Sequence, residues 1–147
     1  MARKKPQKKV EAFVLDGSVT LAWFFEDEVD VYAESVESAL NKATAVVPSL
    51  WSLEVANVLL VGERRRRTTE AKVAQFVRLL GALPIAIDDQ TSSRALGDTL
   101  TLARAHNLSA YDASYLELAL RRGLPLATLD GRLRTAAAAV GVSLYVP

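Results

Sequence analysis

Two polar side chains, Glu54 and Asn57, interrupt an otherwise apolar stretch of the chain at residues 53–61. Because they are three residues apart, they share one face if this stretch is a helix. A helix this apolar is expected to be buried on most sides. A buried carboxylate is costly unless it is paired, protonated or bound to a cation. The sequence leaves two alternatives for Glu54, a pairing with arginine or asparagine and a place in a cation site.

Three aspartates each follow a short apolar stretch of the kind that forms a buried strand. They are Asp16, Asp88 and Asp130. In an open α/β sheet, ligands bind beyond the carboxyl ends of the strands, so acids at these ends are candidates for a binding site. A helix N-cap or an aspartate turn explains each of them as well. Taken one at a time, each aspartate is better explained by that structural role.

Asp112 also has two explanations. The pattern Ser109-x-x-Asp112 fits a capping box at the start of a helix. The helix face of Asp112 also carries Tyr115 and further apolar residues, so we expect that face to point inwards. Glu117 lies on a different face and is expected to be solvated.

A cluster of converging acids has a clear chemical use. Mg²⁺ and Mn²⁺ prefer oxygen ligands, and Mg²⁺ takes one or two carboxylates together with waters and substrate phosphates. Converging carboxylates repel one another, which raises their pKa, and a divalent ion relieves that repulsion. The ion can also position a water for attack on phosphorus. The chain has no cysteine and only one histidine, His106, which excludes disulfides, thiolate metal sites and multi-histidine cages.

Short apolar stretches that alternate with helical patterns would position these acids. This alternation predicts an α/β domain with a mainly parallel sheet covered on both faces. The predicted strands cover residues 10–15, 45–47, 84–87, 126–129 and 142–146. The predicted helices cover residues 18–25, 28–43, 49–66, 68–83, 91–105, 109–122 and 132–140.

The length of 147 residues, half of them hydrophobic, is that of about one domain. Residues 1–9 hold five of the 18 basic residues and are interpreted as a flexible basic arm. Residues 10–147 form the predicted single domain, with 13 basic and 17 acidic residues. Glu11 and Asp16 interrupt any signal-peptide core, and no apolar run approaches the roughly 18 residues of a membrane span. We therefore expect a cytoplasmic protein with no membrane partner.

Four segments in this order resemble the PIN-domain family, and within it the VapC-type toxins of toxin–antitoxin pairs. They are residues 14–18 (VLDGS), 52–59 (SLEVANVL), 111–119 (YDASYLELA) and 126–130 (LATLD). Each segment alone is a weak signal, but the four in order and at these spacings form a strong one. The resemblance covers residues 11–146. It implies a three-layer α/β/α sandwich with a central, mainly parallel sheet.

The resemblance also implies a ribonuclease that depends on Mg²⁺ or Mn²⁺ and leaves 3′-hydroxyl and 5′-phosphate ends. Its catalytic acids would be Asp16, Glu54, Asp112 and Asp130. Asp16 and Asp112 match the positions most directly tied to the metal, and Glu54 would complete the site. Asp130 would bind a second metal or hold a metal-bound water. The matching supporting positions are Ser18, Asn57 and Thr128.

The resemblance implies partners as well. VapC-type toxins usually pair with a small antitoxin protein that inserts a segment into the groove, and they usually form homodimers. Their substrate is RNA, and tRNA is a common target. Two features depart from the pattern, namely Gly17, where a slightly larger residue is more usual, and the lysine-rich arm.

Two alternative functions follow from the same residues. A phosphoacceptor enzyme with Asp16 as nucleophile would need a lysine late in the chain, but none follows Lys72. A non-catalytic PIN-like module that binds RNA or protein would be expected to have lost an acid, and all four are present.

The arginine run at residues 64–67 also has two interpretations. It is either a solvated helix end that complements the helix dipole or a rim that contacts RNA phosphates. The first interpretation is slightly favoured. The aromatic residues Trp23, Phe24, Phe25 and Trp51 are interpreted as core or dimer-interface residues rather than as platforms for bases.

Overall fold

A four-stranded parallel sheet forms the centre of the molecule. The strands are β1 (Glu11–Leu15), β2 (Ala43–Val47), β3 (Ile85–Ile87) and β4 (Leu126–Ala127), and their order in the sheet is β3-β2-β1-β4. The computed structural model describes residues 11–25, 27 and 29–147. The predicted basic arm, residues 1–9, lies outside the described residues, as does the first residue of the predicted first strand.

Helices follow the strands and cover the sheet, which confirms the predicted three-layer α/β/α fold. They are α1 (Gly17–Ala22), α2 (Val31–Ala39), α3 (Trp51–Arg64), α4 (Glu70–Ala82), α5 (Thr91–Arg94), α6 (Leu100–His106), α7 (Ala110–Arg122) and α8 (Gly131–Ala139). A π-helical segment, Ala95–Thr99, joins α5 to α6 where the sequence predicts one continuous helix. Among the described residues, no helix is both long and apolar enough to cross a membrane.

Side-chain caps explain where several helices begin. The side chain of Thr69 accepts a hydrogen bond from the backbone N–H of Lys72 and caps the start of α4. Helix α7 begins at the cap of Ser109 and ends at Gly123, whose φ of 63° is the left-handed conformation that glycine adopts most easily. The sequence predicts both ends of α7 within one residue.

The buried centre of the sheet is strongly apolar because parallel strands are covered on both faces. Phe13, Val14 and Leu15 of β1 are fully buried. The ring of Phe13 stacks on the ring of Tyr145 with 4.0 Å between the centroids. Trp51 is also in the core, and its indole N–H donates to Thr20 Oγ1 at 3.0 Å.

The last predicted strand, residues 142–146, is reduced to an isolated bridge between Leu126 and Leu144. Two hydrogen bonds hold it, from Leu126 N to the Ser143 carbonyl (2.9 Å) and from Tyr145 N to the Leu126 carbonyl (2.8 Å). The partner strand β4 has only two residues, so the rest of residues 142–146 has no strand to pair with.

The prediction that α3 is buried on most sides is wrong. Only one stripe of the helix, including Val55 and Leu59, is buried. Leu53 is 76% exposed and Leu60 is 40% exposed. Both are apolar, so α3 presents apolar side chains to solvent as well as to the core.

Candidate active site

The carboxyl ends of β1 and β4 place Asp16 next to Thr128 and Asp130. The two strands pair in parallel, with Leu15 opposite Ala127, so the residues that follow them emerge at the same edge of the sheet. Asp16 is 6% exposed, and the backbone N–H of Asp16 donates to the Ala127 carbonyl at 3.0 Å. The sheet register itself therefore brings these residues together.

Two hydroxyl groups fix the carboxylate of Asp16. Ser18 Oγ and Thr128 Oγ1 both donate to Asp16 Oδ2, at 2.6 Å and 2.8 Å. Each hydroxyl oxygen also accepts a backbone N–H, Ser18 from Leu129 and Thr128 from Asp130, both at 3.0 Å. Ser18 and Thr128 therefore orient Asp16 and tie it to the turn that follows β4.

Helix α3 contributes Glu54 from its first turn. Tyr115 of α7 donates its hydroxyl hydrogen to Glu54 Oε1 at 2.6 Å, and Tyr115 is fully buried. The partner of Glu54 is therefore a tyrosine, and not the arginine or asparagine considered from the sequence. Asn57 is exposed, and within the described part of the chain no hydrogen bond joins it to Glu54.

Sequence reasoning missed Tyr115 as a candidate site residue. The sequence does indicate that Tyr115 shares the inward face of α7 with Asp112. Its phenolic hydroxyl therefore marks it as a polar group on a buried face. What the sequence could not show is that this hydroxyl meets Glu54, 61 positions earlier in the chain.

Asp112 and Asp130 both lie at helix starts. The side chain of Ser109 accepts the backbone N–H of Asp112 at 3.0 Å, as the capping box predicts. Asp130 Oδ1 accepts the backbone N–H of Leu133 at 2.9 Å, which makes Asp130 the N-cap of α8. Both capping contacts are present, and both aspartates also interact electrostatically with Asp16.

Burial and mutual repulsion raise the pKa of three of the acids above their usual values. Burial is the largest cause for Asp16, with hydrogen bonds from Ser18 and Thr128 opposing it and the charge of Asp130 adding to it. Burial also raises the pKa of Glu54, where Tyr115 opposes the shift and Asp16 and Asp112 add to it.

The same causes raise the pKa of Asp112, first burial and then the charges of Asp16 and Asp130. Each of the four acids is thus within electrostatic range of at least one other. A cluster whose members disfavour one another's ionisation is one that a cation would stabilise.

The carboxylate oxygens at this site are the type of donor that a hard divalent cation prefers. Over residues 11–25, 27 and 29–147, no three acidic, histidine or cysteine side chains converge closely enough to hold an ion among them. Mg²⁺ commonly binds through one or two carboxylates and keeps several waters. An ion here would therefore be held directly by one or two of Asp16, Asp112 and Asp130, with waters completing its ligand shell.

Asp88, the third aspartate at a strand end, belongs to a different cluster. Arg121 donates to both oxygens of Asp88, at 3.1 Å and 2.7 Å, and to Glu117 Oε1 at 2.7 Å. Arg121 lowers the pKa of Asp88. The expectation that Glu117 is solvated is wrong, since it is 4% exposed and paired with Arg121 on its own helix.

The chain matches the PIN domain over residues 13–139. It is 31% identical over 121 residues to Ribonuclease VapC3 of Pyrobaculum aerophilum, an alignment that covers 82% of this chain and 90% of that relative.

Two solved structures share its fold. The crystal structure of PAE2754 from Pyrobaculum aerophilum has a TM-score of 0.63 and 20% identity, covering 92% of this chain and 88% of that one. The structure of FitAcB from Neisseria gonorrhoeae has a TM-score of 0.56 and 17% identity, covering 92% of this chain and 97% of that one. The family resemblance of the four motifs is confirmed, and the chain belongs to the PIN-domain family.

Proposed function

We propose that this chain is a divalent-metal-dependent endoribonuclease and the toxin of a type II toxin–antitoxin system. The observation that carries the proposal is the carboxylate of Asp16, which is buried at the carboxyl end of β1 and accepts hydrogen bonds from Ser18 and Thr128. Glu54, Asp112 and Asp130 lie within electrostatic range of it. A relative that is 31% identical is named a ribonuclease, which supports RNA as the substrate.

Each acid has its own role in the proposed reaction. Asp16, Asp112 and Asp130 would hold the cation, Mg²⁺ or Mn²⁺, directly or through waters. The chemistry supplied by that cation is activation of a water and neutralisation of charge on the phosphate. Glu54 would accept a proton from the attacking water at Oε2, since Tyr115 holds Oε1. The bond from phosphorus to the 3′-oxygen breaks as the bond to the water oxygen forms, and the 3′-oxygen takes a proton from solvent. Ser18 and Thr128 keep Asp16 oriented.

The proposal extends to partners. We propose RNA, with tRNA as a candidate class, as the substrate, and a small antitoxin protein and a second copy of the chain as binding partners. Exposed apolar side chains support protein partners, among them Leu53 at 76% and Leu96 at 89% exposure. Residues 10–147 act as one nuclease domain in the cytoplasm, preceded by the basic arm.

Cleavage of end-labelled structured RNA tests the proposal. Purified protein is incubated with Mn²⁺, Mg²⁺ or EDTA, beside Asp112→Asn purified in the same way. We expect cutting with either metal, none in EDTA and none by the variant, with 5′-phosphate and 3′-hydroxyl products. Cutting that persists in EDTA, or that is equal for both proteins, would contradict a metal-dependent reaction at this site.

A further inference from the structure

The chain carries a concentrated block of positive charge that the proposed chemistry does not use. Residues 64–67 are four consecutive arginines at the carboxyl end of α3, and all four are exposed. We call them the arginine rim. Residues 10–147 as a whole have more acidic than basic residues, 17 against 13. A local positive patch on an otherwise acidic body is a site where a polyanion is attracted and held.

A groove of about 570 Å³ opens beside the arginine rim. Its floor is aromatic and consists of the partly exposed side chains of Trp23, Phe24 and Phe25. The buried ring of Phe76 supports them, with 4.9 Å between the centroids of Phe24 and Phe76 and also of Phe24 and Phe25. Two cations, Arg67 and Lys72, line the same groove. An aromatic floor with basic side chains is the combination that holds a single strand of nucleic acid.

Arg67 packs against the aromatic floor. Its guanidinium carbon lies 4.8 Å from the centroid of the Phe25 ring. On α3, Gly62 leaves room for that ring, since a Cβ at this position would come within 3.2 Å of it. Arg67 also pairs with Asp27, but both side chains are more than half exposed, so this ion pair is weak and a phosphate can compete for it.

The arginine rim and the acid cluster lie at opposite ends of one helix. Glu54 is in the first turn of α3 and Arg64 is its last residue. A rise of 1.5 Å per residue puts the two about 15 Å apart along the helix axis. An RNA strand cut at the acids would therefore reach the arginine rim with the nucleotides that flank the cut.

The backbone conformation at position 66 does not favour arginine. Its φ of 57° is in the left-handed region, at the end of a helix, where glycine or asparagine is lower in energy. The N–H of Arg67 bonds to the Gly62 carbonyl at 2.8 Å, as in a helix cap of the Schellman type. The arginine at this position is thus not explained by local stability.

We propose that the arginine rim and the aromatic groove form a subsite for single-stranded RNA, separate from the acids that cut it. The arginines contact phosphates, and a base packs against the aromatic floor. These roles replace the solvated helix end and the core or dimer-interface aromatic residues that the sequence alone favours. This inference rests on the proposed function for the identity of the polyanion. The RNA enters or leaves the acid cluster along α3.

Binding of a fluorescein-labelled oligouridine of about 12 nucleotides tests the subsite by fluorescence anisotropy. EDTA is present so that no RNA is cut. The variant Arg65→Gln/Arg67→Gln is compared with Arg104→Gln/Arg122→Gln, which removes the same charge from exposed positions elsewhere. We expect the first to weaken binding about tenfold and to reduce the salt slope by about 1.4, the value for two lost phosphate contacts. The second should change affinity less than about twofold.

Arg66→Gly gives a readout that a merely structural role would not produce. Because glycine is favoured at this backbone conformation, the variant should melt at a higher temperature than the wild type. It should also bind the oligouridine more weakly. Lower thermal stability together with unchanged RNA affinity would assign Arg66 a structural role and contradict the subsite.

Two other outcomes of the binding experiment would contradict the proposed RNA subsite. Equal weakening by both double variants would mean that net charge alone attracts RNA. Unchanged RNA affinity in the rim variant, with lost binding of a labelled polyglutamate peptide, would make the groove a protein-binding site.

Failure of the subsite and failure of the proposed function are separable. RNA that is bound through the arginine rim but never cut would contradict the nuclease and leave the subsite standing. Cutting with an unchanged KM in the rim variant would contradict the subsite and leave the nuclease standing.

Discussion

Side-chain hydroxyl groups orient two of the four acids. Ser18 and Thr128 donate to Asp16, and Tyr115 donates to Glu54. A hydroxyl has one hydrogen to donate, so each of these carboxylates is held as an acceptor. Removing a donor should therefore change the pKa of the carboxylate as well as the local packing.

Tyr115→Phe removes the donor to Glu54 without changing the shape of the ring. The hydrogen bond from Tyr115 lowers the pKa of Glu54, so its loss should raise that pKa further. We expect kcat to fall about tenfold because Glu54 is less well positioned. We also expect the acidic limb of the pH–rate profile to move to higher pH, since a base must be ionised to accept a proton.

Tyr111→Phe is the matched control, since Tyr111 is on the same helix but 67% exposed. It should leave both kcat and the pH profile unchanged. An identical loss of kcat in both variants, with no shift of the acidic limb, would mean that the hydroxyl of Tyr115 has no role in the reaction.

The placement of Asp16, Asp112 and Asp130 at the ends of strands and helices is predictable from sequence because short patterns mark those ends. The partners of the acids are less predictable because they come from distant parts of the chain. Glu117 shows the limit. Its helix position suggested an exposed face, but Arg121 one turn later and Asp88 from another element bury it.

Secondary-structure elements depend on contacts that cross the chain as well as on their own sequence. Helix α7 carries Asp112 at one end and the pair Glu117 and Arg121 near the other. Arg121 joins this helix to Asp88, which follows β3 at the edge of the sheet. This ion cluster therefore fixes the helix that presents Asp112.

Arg121→Met should lower the free energy of unfolding by about 3–5 kcal/mol, because it leaves two buried acids without their partner. Arg122→Met is the control. It replaces an exposed neighbour and should change that free energy by less than about 0.5 kcal/mol. Urea denaturation of both variants checks the prediction. Equal unfolding free energies would show that the ion cluster of Asp88, Glu117 and Arg121 contributes nothing to stability.

The end of the chain shows why element boundaries are harder to predict than elements. Residues 142–146 have the apolar pattern of a strand, yet they form one bridge because β4 offers only two residues for pairing. Helix α3 is a helix, as the sequence predicts, but the prediction that it is buried on most sides is wrong. Its second apolar face is exposed, and the sequence pattern alone does not distinguish a core from a surface that binds a partner.

The molecule as a whole should become less stable as pH rises when no metal is present. Asp16, Glu54 and Asp112 have pKa values raised above their unfolded values of 3.8, 4.5 and 3.8. Between the unfolded and folded pKa values the native state binds more protons, so the unfolding free energy falls with increasing pH. The lowered pKa of Asp88 acts in the opposite direction, and only as the pH falls below about 3.8.

Urea denaturation in EDTA at a series of pH values above about 4 measures this effect. Asp16→Asn should reduce the loss of stability, since it removes one of the acids that repel the others. A wild-type stability that rises through this pH range would contradict repulsion among the acids.

A divalent cation should reverse the destabilisation. Binding to the native state alone adds about 2.7 kcal/mol at a free concentration of 100 times Kd. We expect the melting temperature at neutral pH to rise when Mn²⁺ replaces EDTA, and to rise much less in Asp112→Asn. An equal rise in both proteins would place the ion somewhere other than the acid cluster.

The most direct test of the nuclease assignment is the rate of RNA cleavage by Asp16→Asn beside Asp89→Asn in Mn²⁺. Both variants replace an aspartate shortly after the end of a strand, β1 for Asp16 and β3 for Asp89. Asp16 is buried in the acid cluster, whereas Asp89 is exposed. We expect Asp16→Asn to remain folded and to cut at least about a hundredfold more slowly. Asp89→Asn should cut at the wild-type rate. Cleavage by Asp16→Asn at that same rate would contradict an active site built around Asp16.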